Sequence, residues 1–143
     1  MATPNQIIVN VKDYSLSPGP RYTTQGDFSG EDFYHKVLNP QFAEAYNSQQ
    51  ILCVNLDGVD GYMSSFLDEA FGNLIYDFGK SAVEPILNII SDEEPEWISM
   101  ITGETFKEWE KRRNNKERPK KTTEHCDWKG LENGALVNLN SKK

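Results

Sequence analysis

The chain has 143 residues, of which 37% are hydrophobic and 26% are charged, a size that supports one hydrophobic core and excludes two ordinary domains. The net charge of −7 is unevenly divided: residues 1–106 carry 4 basic and 16 acidic side chains, whereas residues 107–143 carry 11 and 6. We therefore expect an acidic domain over 1–106 and a basic C-terminal extension over 107–143, partly flexible. Because phosphate contacts need clustered Lys and Arg, the acidic part excludes a nucleic-acid groove.

Cysteine content and hydropathy point to the cytoplasm. Cys53 lies in an apolar run and Cys126 in a polar one, which is a poor basis for a disulfide framework. No apolar run approaches the roughly 20 residues that cross a bilayer, and none near the start is typical of a signal peptide. No C-x-x-C or H-x-x-x-H spacing is present, so the sequence predicts no metal site, no cofactor and no membrane contact.

The first third of the chain predicts a strand, a loop and two helices. Residues 6–11, QIIVNV, are β-branched and predict a strand, and the Pro/Gly-rich stretch after it predicts a loop. Ser29 and Asp32 have the spacing of a capping box, which starts a helix. Asn39-Pro40 then predicts the end of that helix and the start of a second one at an angle, with Asn39 as its cap.

The middle of the chain predicts two strands with a helix between them. Residues 51–56, ILCVNL, are nearly all apolar, as expected of a central strand that is covered on both faces. The following helix has one broad apolar stripe, made of Phe66, Leu67, Ala70, Phe71, Leu74, Ile75 and Phe78. Its other side is expected to be solvated and consists of Asp68, Glu69, Asn73, Tyr76 and Asp77. Residues 85–90, PILNII, predict the next strand.

The C-terminal third predicts a helix that becomes solvent-exposed. The acidic SDEEPEW stretch suits a helix N-terminus, whereas KEWEKRRNNKERPKK is polar nearly all round and predicts a solvated extension that ends before Pro119. The late ALVNL stretch is read either as an added strand or as a disordered end. The order of elements predicts an α/β domain in which a small mixed sheet is packed with helices, followed by a helical C-terminal extension.

Two separated stretches resemble a known family: GPRYTTQGDFSGEDFYHKVLNP at residues 19–40 and VNLDGVDGYMSSFLDEAFGNL at residues 54–74. Over roughly residues 5 to 90 they resemble the STAS-like family of unknown function, a relative of the STAS domains of anti-sigma factor antagonists. The resemblance implies a STAS-like fold and a bacterial or phage-related cytoplasmic setting. It also implies a protein partner, one with an ATP-binding kinase-like fold.

The resemblance further implies a phosphorylation or partner-binding site. In STAS antagonists a strand ends in Asp, a turn follows, and a serine pair opens the next helix, where a partner kinase phosphorylates one serine. In this chain the strand is CVNLD and the serines are Ser64 and Ser65, with Ser65 at the acceptor position. The sequence departs from the family where Met63 replaces Asp before the pair and Phe66 replaces Gly after it. The implied site comprises Ser64, Ser65, Asp57, Asp60 and Tyr62.

Two interpretations of this serine pair stay open. A helix N-terminus presents unbonded amides and a partial positive charge, so a phosphate is stabilised there while it changes the surface offered to a partner. Alternatively, Ser65-Phe66-Leu67-Asp68 has the form of a capping box, in which the serine has only a structural role.

Arg21, Ser29 and Gly30 form a possible anion-binding set. Arg21 lies in the loop before Ser29, where it is expected either to pair with Asp57 or Asp60 or to help the helix start hold an anion such as phosphate. A structural ion pair is the commoner role for such a residue.

Catalysis is the less favoured function class. A serine nucleophile needs a nearby base, the histidines are His35 in the first helix and His125 near the C-terminus, and G-x-S-x-G is absent. The predicted function is a non-catalytic regulatory protein-binding module. The alternative is a small enzyme or anion-binding domain that uses Arg21, Asp57 and Asp60.

Nucleic acid is expected to bind, if at all, only through the basic C-terminal stretch, whose positive charge is diluted by intervening glutamates. The basic residues are Lys107, Lys111, Arg112, Arg113, Lys116, Arg118, Lys120 and Lys121.

Overall fold

A three-stranded parallel sheet lies at the centre of the computed structural model, which describes residues 5–139. Its strands, in the spatial order β1-β2-β3, are Gln6–Asn10 (β1), Ile51–Asn55 (β2) and Leu87–Ile90 (β3). The register places Ile8 beside Cys53 and Cys53 beside Asn88. β2 is the central strand, as predicted, and its apolar residues Leu52 and Val54 are fully buried.

Helices fill most of the remaining chain. They are α1 (Val11–Tyr14), α2 (Gly30–Phe33), α3 (Asn39–Ser48), α4 (Ser64–Phe78), α5 (Lys80–Val83), α6 (Glu96–Ser99) and α7 (Phe106–Asn114). A 3-10 turn spans Thr23–Gln25, and π-helical turns span Tyr34–Leu38 and Met100–Thr105. Within residues 5–139, none of these helices is long and apolar enough to cross a membrane.

The predicted break at Asn39-Pro40 is wrong. The backbone stays helical from α2 through the π turn into α3, and Asn39 has φ −60° and ψ −53°. In the π turn the amide of Asn39 donates a hydrogen bond to the carbonyl of Tyr34, five residues earlier. This wider spacing alters the backbone just before Pro40, whose ring would clash with a backbone carbonyl in a regular α-helix. The buried Asn39 amide group also hydrogen-bonds the Tyr34 hydroxyl and the Lys129 carbonyl, so tertiary contacts favour this path over a cap.

α4 is buried on two sides rather than one. Its apolar stripe is buried as predicted. The side that was expected to face solvent is also covered, because Glu69, Asn73 and Asp77 are only 1%, 1% and 7% exposed. That part of the prediction is wrong, since the helix Phe106–Asn114 and the strand Lys129–Glu132 pack against α4.

Side chains from the C-terminal third of the described chain contribute to the same hydrophobic core. The helical segment from α6 to α7 runs through residue 106, so the predicted division after that residue falls inside a continuous helix. Trp109 and Leu131 belong to the core cluster of the sheet and α4. The ALVNL stretch contributes β5 (Ala135–Asn138), which pairs antiparallel with β4 (Lys129–Glu132). The helix α7 and the strand β4 therefore pack against the same core as the main sheet and α4.

The architecture is an α/β fold, as predicted, with one difference in the sheet. The main sheet is entirely parallel and the antiparallel pair forms a separate two-stranded sheet, so the two strand directions do not mix in one sheet. Because β1, β2 and β3 run parallel, their carboxyl ends meet at one edge, where the loops that follow them lie side by side.

Candidate functional site

The turn between β2 and α4 forms one corner of the molecule. The Tyr62 hydroxyl donates a hydrogen bond to the carbonyl of Leu56 at 2.6 Å, and the Tyr62 ring packs against the rings of Phe66 and Trp97. The amide of Asp60 bonds to the carbonyl of Leu16 at 2.7 Å. Tyr62 is therefore a positioning residue that ties the turn to the strand before it and the helix after it.

Both serines of the pair reach solvent at this corner. α4 begins at Ser64, which is exposed, and Ser65 is half-buried in the first helical turn. The residue before them, Met63, is 54% exposed and supplies no side-chain cap to the helix. The first turn of α4 thus presents two hydroxyls, an exposed thioether and backbone amides without a side-chain acceptor.

The alternative capping box of Ser65 and Asp68 does not form. Asp68 turns away from the helix start and accepts hydrogen bonds from Arg21 at 2.8 Å, from the Thr105 hydroxyl at 3.0 Å and from the Trp109 indole at 3.3 Å. Because its carboxylate is used in these long-range contacts, it does not reach the first turn of α4. The capping interpretation is therefore wrong for Ser65.

A cavity of about 320 Å³ opens beside the corner, at the carboxyl ends of β2 and β3. It is lined by the apolar and aromatic side chains of Leu56, Val59, Tyr62 and Trp97 and by four carboxylates, those of Asp57, Asp60, Glu93 and Glu94. No Lys, Arg or His lines it within residues 5–139. The lining repels anions, and among the described residues no cluster of His, Cys, Asp and Glu side chains converges on a possible metal site.

The two aspartates of the corner have local structural contacts. The two carboxylate oxygens of Asp57 accept hydrogen bonds from the amides of Asp92 and Glu93, each at 3.0 Å. These bonds join the loop after β2 to the loop after β3. Asp60 accepts a hydrogen bond from the Ser17 hydroxyl. The structure thus brings Asp57, Asp60 and Tyr62 together beside the serine pair.

The predicted anion-binding set lies elsewhere and is occupied by internal contacts. Arg21 pairs with Asp68 at 2.8 Å and with Glu69 at 3.1 Å, so its predicted pairing with Asp57 or Asp60 is wrong. The Ser29 hydroxyl is fully buried and accepts the amide of Asp32, which confirms the predicted capping of α2. Gly30 touches α4 so closely that an added Cβ would lie 2.4 Å from the carbonyl of Phe66. Arg21 and Ser29 are thus engaged in contacts within the domain, and Gly30 packs closely against α4.

Glu31 is a buried carboxylate that no sequence motif singled out. It is 1% exposed. Its carboxylate accepts hydrogen bonds from the amide of Thr122 at 2.8 Å, from His125 Nε2 at 2.7 Å and from the amide of Thr23 at 3.0 Å. Burial raises the pKa of Glu31, but the donors from His125, Thr122 and Thr23 outweigh burial and hold the pKa well below its usual range. One ionised carboxylate thus ties residues 122–125 to the start of α2.

The histidines are grouped with Glu31 and lie away from the corner cavity. The rings of His35 and His125 stack with centroids 3.8 Å apart, and the Trp128 ring is nearly perpendicular to the His35 ring, with centroids 4.8 Å apart. Burial, followed by the neighbouring His125, lowers the pKa of His35 to about 2, so this imidazole is neutral. Neither histidine lines the cavity beside Ser64 and Ser65.

The covered side of α4 carries a buried polar row that sequence reasoning missed. Glu69 accepts hydrogen bonds from Arg21 at 3.1 Å and from Asn73 at 2.8 Å, and Asp77 accepts one from the Tyr34 hydroxyl at 2.5 Å. Spacing by four residues places all three on one helical face. Burial raises the pKa of Asp77 to about 6.

The raised pKa of Asp77 predicts a specific pH dependence. Because the folded protein holds this proton more tightly than the unfolded chain, Asp77 lowers the free energy of unfolding as the pH rises from about 4 to about 6, by on the order of 3 kcal/mol in total. We expect Asp77→Asn, whose side-chain oxygen still accepts the Tyr34 hydroxyl, to gain stability relative to wild type over that range. Urea unfolding of both proteins at several pH values measures the difference, and parallel pH profiles would contradict this assignment.

Only part of the predicted basic stretch is free for a partner. Arg113 donates hydrogen bonds to the carbonyls of Tyr76 and Leu131, Arg112 lies over the Trp109 ring at 4.4 Å, and Lys121 lies over the Trp128 ring at 5.3 Å. The basic side chains that are exposed are Lys107, Lys111, Lys116, Arg118 and Lys120.

Comparison with known proteins places the corner inside a family match. Residues 29–97 match the model of a family described as a STAS-like domain of unknown function (DUF4325), which includes β2, the corner, α4 and β3. The match begins after β1 and ends at Trp97, so it is shifted towards the C-terminus relative to the resemblance expected over residues 5 to 90. No curated protein and no solved structure matches the chain.

Proposed function

From the match of residues 29–97 to a family described as a STAS-like domain of unknown function, we propose that this chain is a non-catalytic regulatory module that binds another protein through the corner between β2 and α4. The docking surface comprises Met63, Ser64, Ser65 and the rim of the adjacent acidic cavity. Phosphorylation of a serine in this surface regulates the binding.

The observation that carries the proposal is the open first turn of α4. Two hydroxyls lie there beside Met63, which is 54% exposed, and no side chain caps the helix. A phosphate on Ser65 would meet unbonded amides and the positive end of a 15-residue helix, so it would form without unfolding the domain. It would also add charge beside Asp57 and Asp60, which changes the surface that a partner meets.

The contacts of the corner support binding over catalysis. Asp57 uses both carboxylate oxygens for backbone amides, and within residues 5–139 no histidine lines the cavity that a serine nucleophile would share. The alternative of a small enzyme or anion-binding domain that uses Arg21, Asp57 and Asp60 is less well supported, because Arg21 is paired with Asp68 and Glu69.

The partner class and location are part of the same proposal. The likeness to STAS domains of anti-sigma factor antagonists favours a partner with an ATP-binding kinase-like fold in a bacterial cytoplasm. Free Cys53 and Cys126 are compatible with a reducing compartment. Nucleic acid is a weaker candidate partner, since intervening glutamates dilute the positive charge of the exposed lysines and arginine in residues 107–120.

A photo-crosslinking residue at Met63 identifies the partner in the native host. The matched control carries the same residue at Ser81, which is exposed in α5, just after the opposite end of α4. We expect one dominant crosslinked protein from Met63 and none from Ser81. Equal crosslinking from both positions would contradict a docking surface at the corner.

Ser65→Glu then tests the regulation with the purified partner. We expect at least about 10-fold weaker binding than wild type, or about 1.4 kcal/mol, while Ser65→Ala binds like wild type. Ser81→Glu is the matched control, because Ser81 occupies the second position of α5 as Ser65 does in α4. Isothermal titration measures the affinities, and equal values for all four proteins would remove the regulatory role of Ser65.

A further inference from the structure

The outer edge of β1 is not paired within the described chain. Ile51 donates its amide to the carbonyl of Asn5, so the backbone groups of Asn5, and by strand alternation those of Ile7 and Val9, point towards β2. The backbone groups of Gln6 and Ile8 point the other way, and β1 is the terminal strand of its sheet. Within residues 5–139, no backbone hydrogen bond joins Gln6 or Ile8 to another element on that side.

This free edge borders a groove of about 500 Å³ between β1, α1 and the helix that runs from α2 to α3. Ile8 and Phe28 are the large apolar side chains at its mouth, and they are 62% and 48% exposed. Tyr14 and Val37 line its floor. The edge therefore offers both unpaired backbone groups and apolar surface, the two features by which extended segments add to a sheet.

Charge indicates what covers this edge. All five residues of β1 are uncharged, although the chain has a net charge of −7, and β1 lacks the Lys or Pro that commonly protects edge strands. Three charged side chains line the groove. Asp32 and Lys36 pair with each other at 3.6 Å, so Asp13 is the remaining charged group of the lining. A strongly basic partner would find little to contact here. A second copy can approach along β1 without placing like charges opposite each other on the strands.

We propose that two copies of this chain associate by antiparallel pairing of their β1 strands about a two-fold axis at Ile8. In that register Ile8 lies opposite Ile8 of the second copy, and Gln6 lies opposite Asn10. Side-chain amides then flank a pair of isoleucines, a self-complementary arrangement that closes after two copies. The two parallel sheets join into one, while the corner at Ser64 and Ser65 follows β2 and stays accessible. The dimer does not depend on the proposed function of that corner.

Analytical ultracentrifugation of the full chain tests the dimer. Because a five-residue strand buries less area than a standard interface, we expect a dissociation constant in the micromolar range, measurable between about 1 and about 200 µM. Ile8→Lys should weaken the dimer at least about 10-fold. Leu16→Lys is the matched control, since Leu16 is 61% exposed and lies outside β1. A monomeric wild type, or equal effects of the two substitutions, would overturn the proposal.

Disulfide crosslinking tests the register. In a background of Cys53→Ala and Cys126→Ser, which removes the native thiol beside Ile8 as well as the exposed one, Ile8→Cys would place two Cα atoms about 5.5 Å apart, within the range of a disulfide. Gln6→Cys would place them about 14 Å apart, out of range. We expect mild oxidation to crosslink the first variant and not the second. Equal crosslinking of both, or none in the first, would overturn the pairing at Ile8.

Discussion

Glu31→Gln is expected to destabilise the fold by about 2–4 kcal/mol, because it removes a buried charge that several donors share. The amides of Thr23 and Thr122 and the imidazole of His125 all point at the Glu31 carboxylate. A neutral amide has one acceptor oxygen, and its NH2 group would face a donor. Urea unfolding measures the loss.

The same substitution should loosen residues 119–128 more than the rest of the chain. We expect faster trypsin cleavage after Lys120 and Lys121, because Thr122 and His125 lose their shared acceptor. Glu44→Gln is the control, since Glu44 is exposed on α3. If Glu31→Gln changes stability and cleavage no more than Glu44→Gln does, the carboxylate does not hold this segment.

Gly72→Ala is the second substitution with a large expected effect. An added Cβ would lie 2.1 Å from the Trp109 ring, which is 1% exposed and hydrogen-bonded to Asp68. Alanine favours a helix over glycine by about 1 kcal/mol, but the clash forces apart α4 and α7. We expect a net loss of about 2–4 kcal/mol and a red-shifted tryptophan emission, measured by urea unfolding and fluorescence.

Gly103→Ala supplies the contrast for this prediction. Gly103 lies in the π turn between α6 and α7, and an added Cβ meets nothing within 4 Å. That substitution should leave stability unchanged or raise it by up to about 1 kcal/mol. Similar effects of the two substitutions would show that close packing at Gly72 does not set the distance between α4 and α7.

Periodicity in the sequence was sufficient for the elements that form the main sheet and its principal helix. The β-branched and apolar runs at residues 6–11, 51–56 and 85–90 predicted the three strands, and the apolar stripe after residue 65 predicted α4. The predicted helix start at Ser29 is confirmed because a cap depends on residues three positions apart. The position of Ser64 and Ser65 at the start of α4 was also predicted, since it follows directly from where β2 ends and α4 begins.

The errors concern polar residues whose partners are distant along the chain. Asp68 was read as a local cap, but its acceptors are used by Arg21 and Thr105, 47 and 37 residues away. Glu31 and Thr122 are 91 residues apart. Such pairings leave no periodic signal, and a single sequence does not show which of 22 acidic residues meets which basic one.

The sequence by itself determined the strands, the α4 stripe and the exposed serine turn, because these depend on side-chain spacing within about 15 residues. Only the tertiary structure decided that α7 and β4 complete the core with Trp109 and Leu131. α7 needs only a narrow apolar stripe around Trp109, so its composition is that of a solvated helix. The packing of α7 and β4 against α4 also decided that the face with Glu69, Asn73 and Asp77 is buried rather than solvated. Buried polar side chains of this kind are stable only when the fold supplies their hydrogen-bond partners.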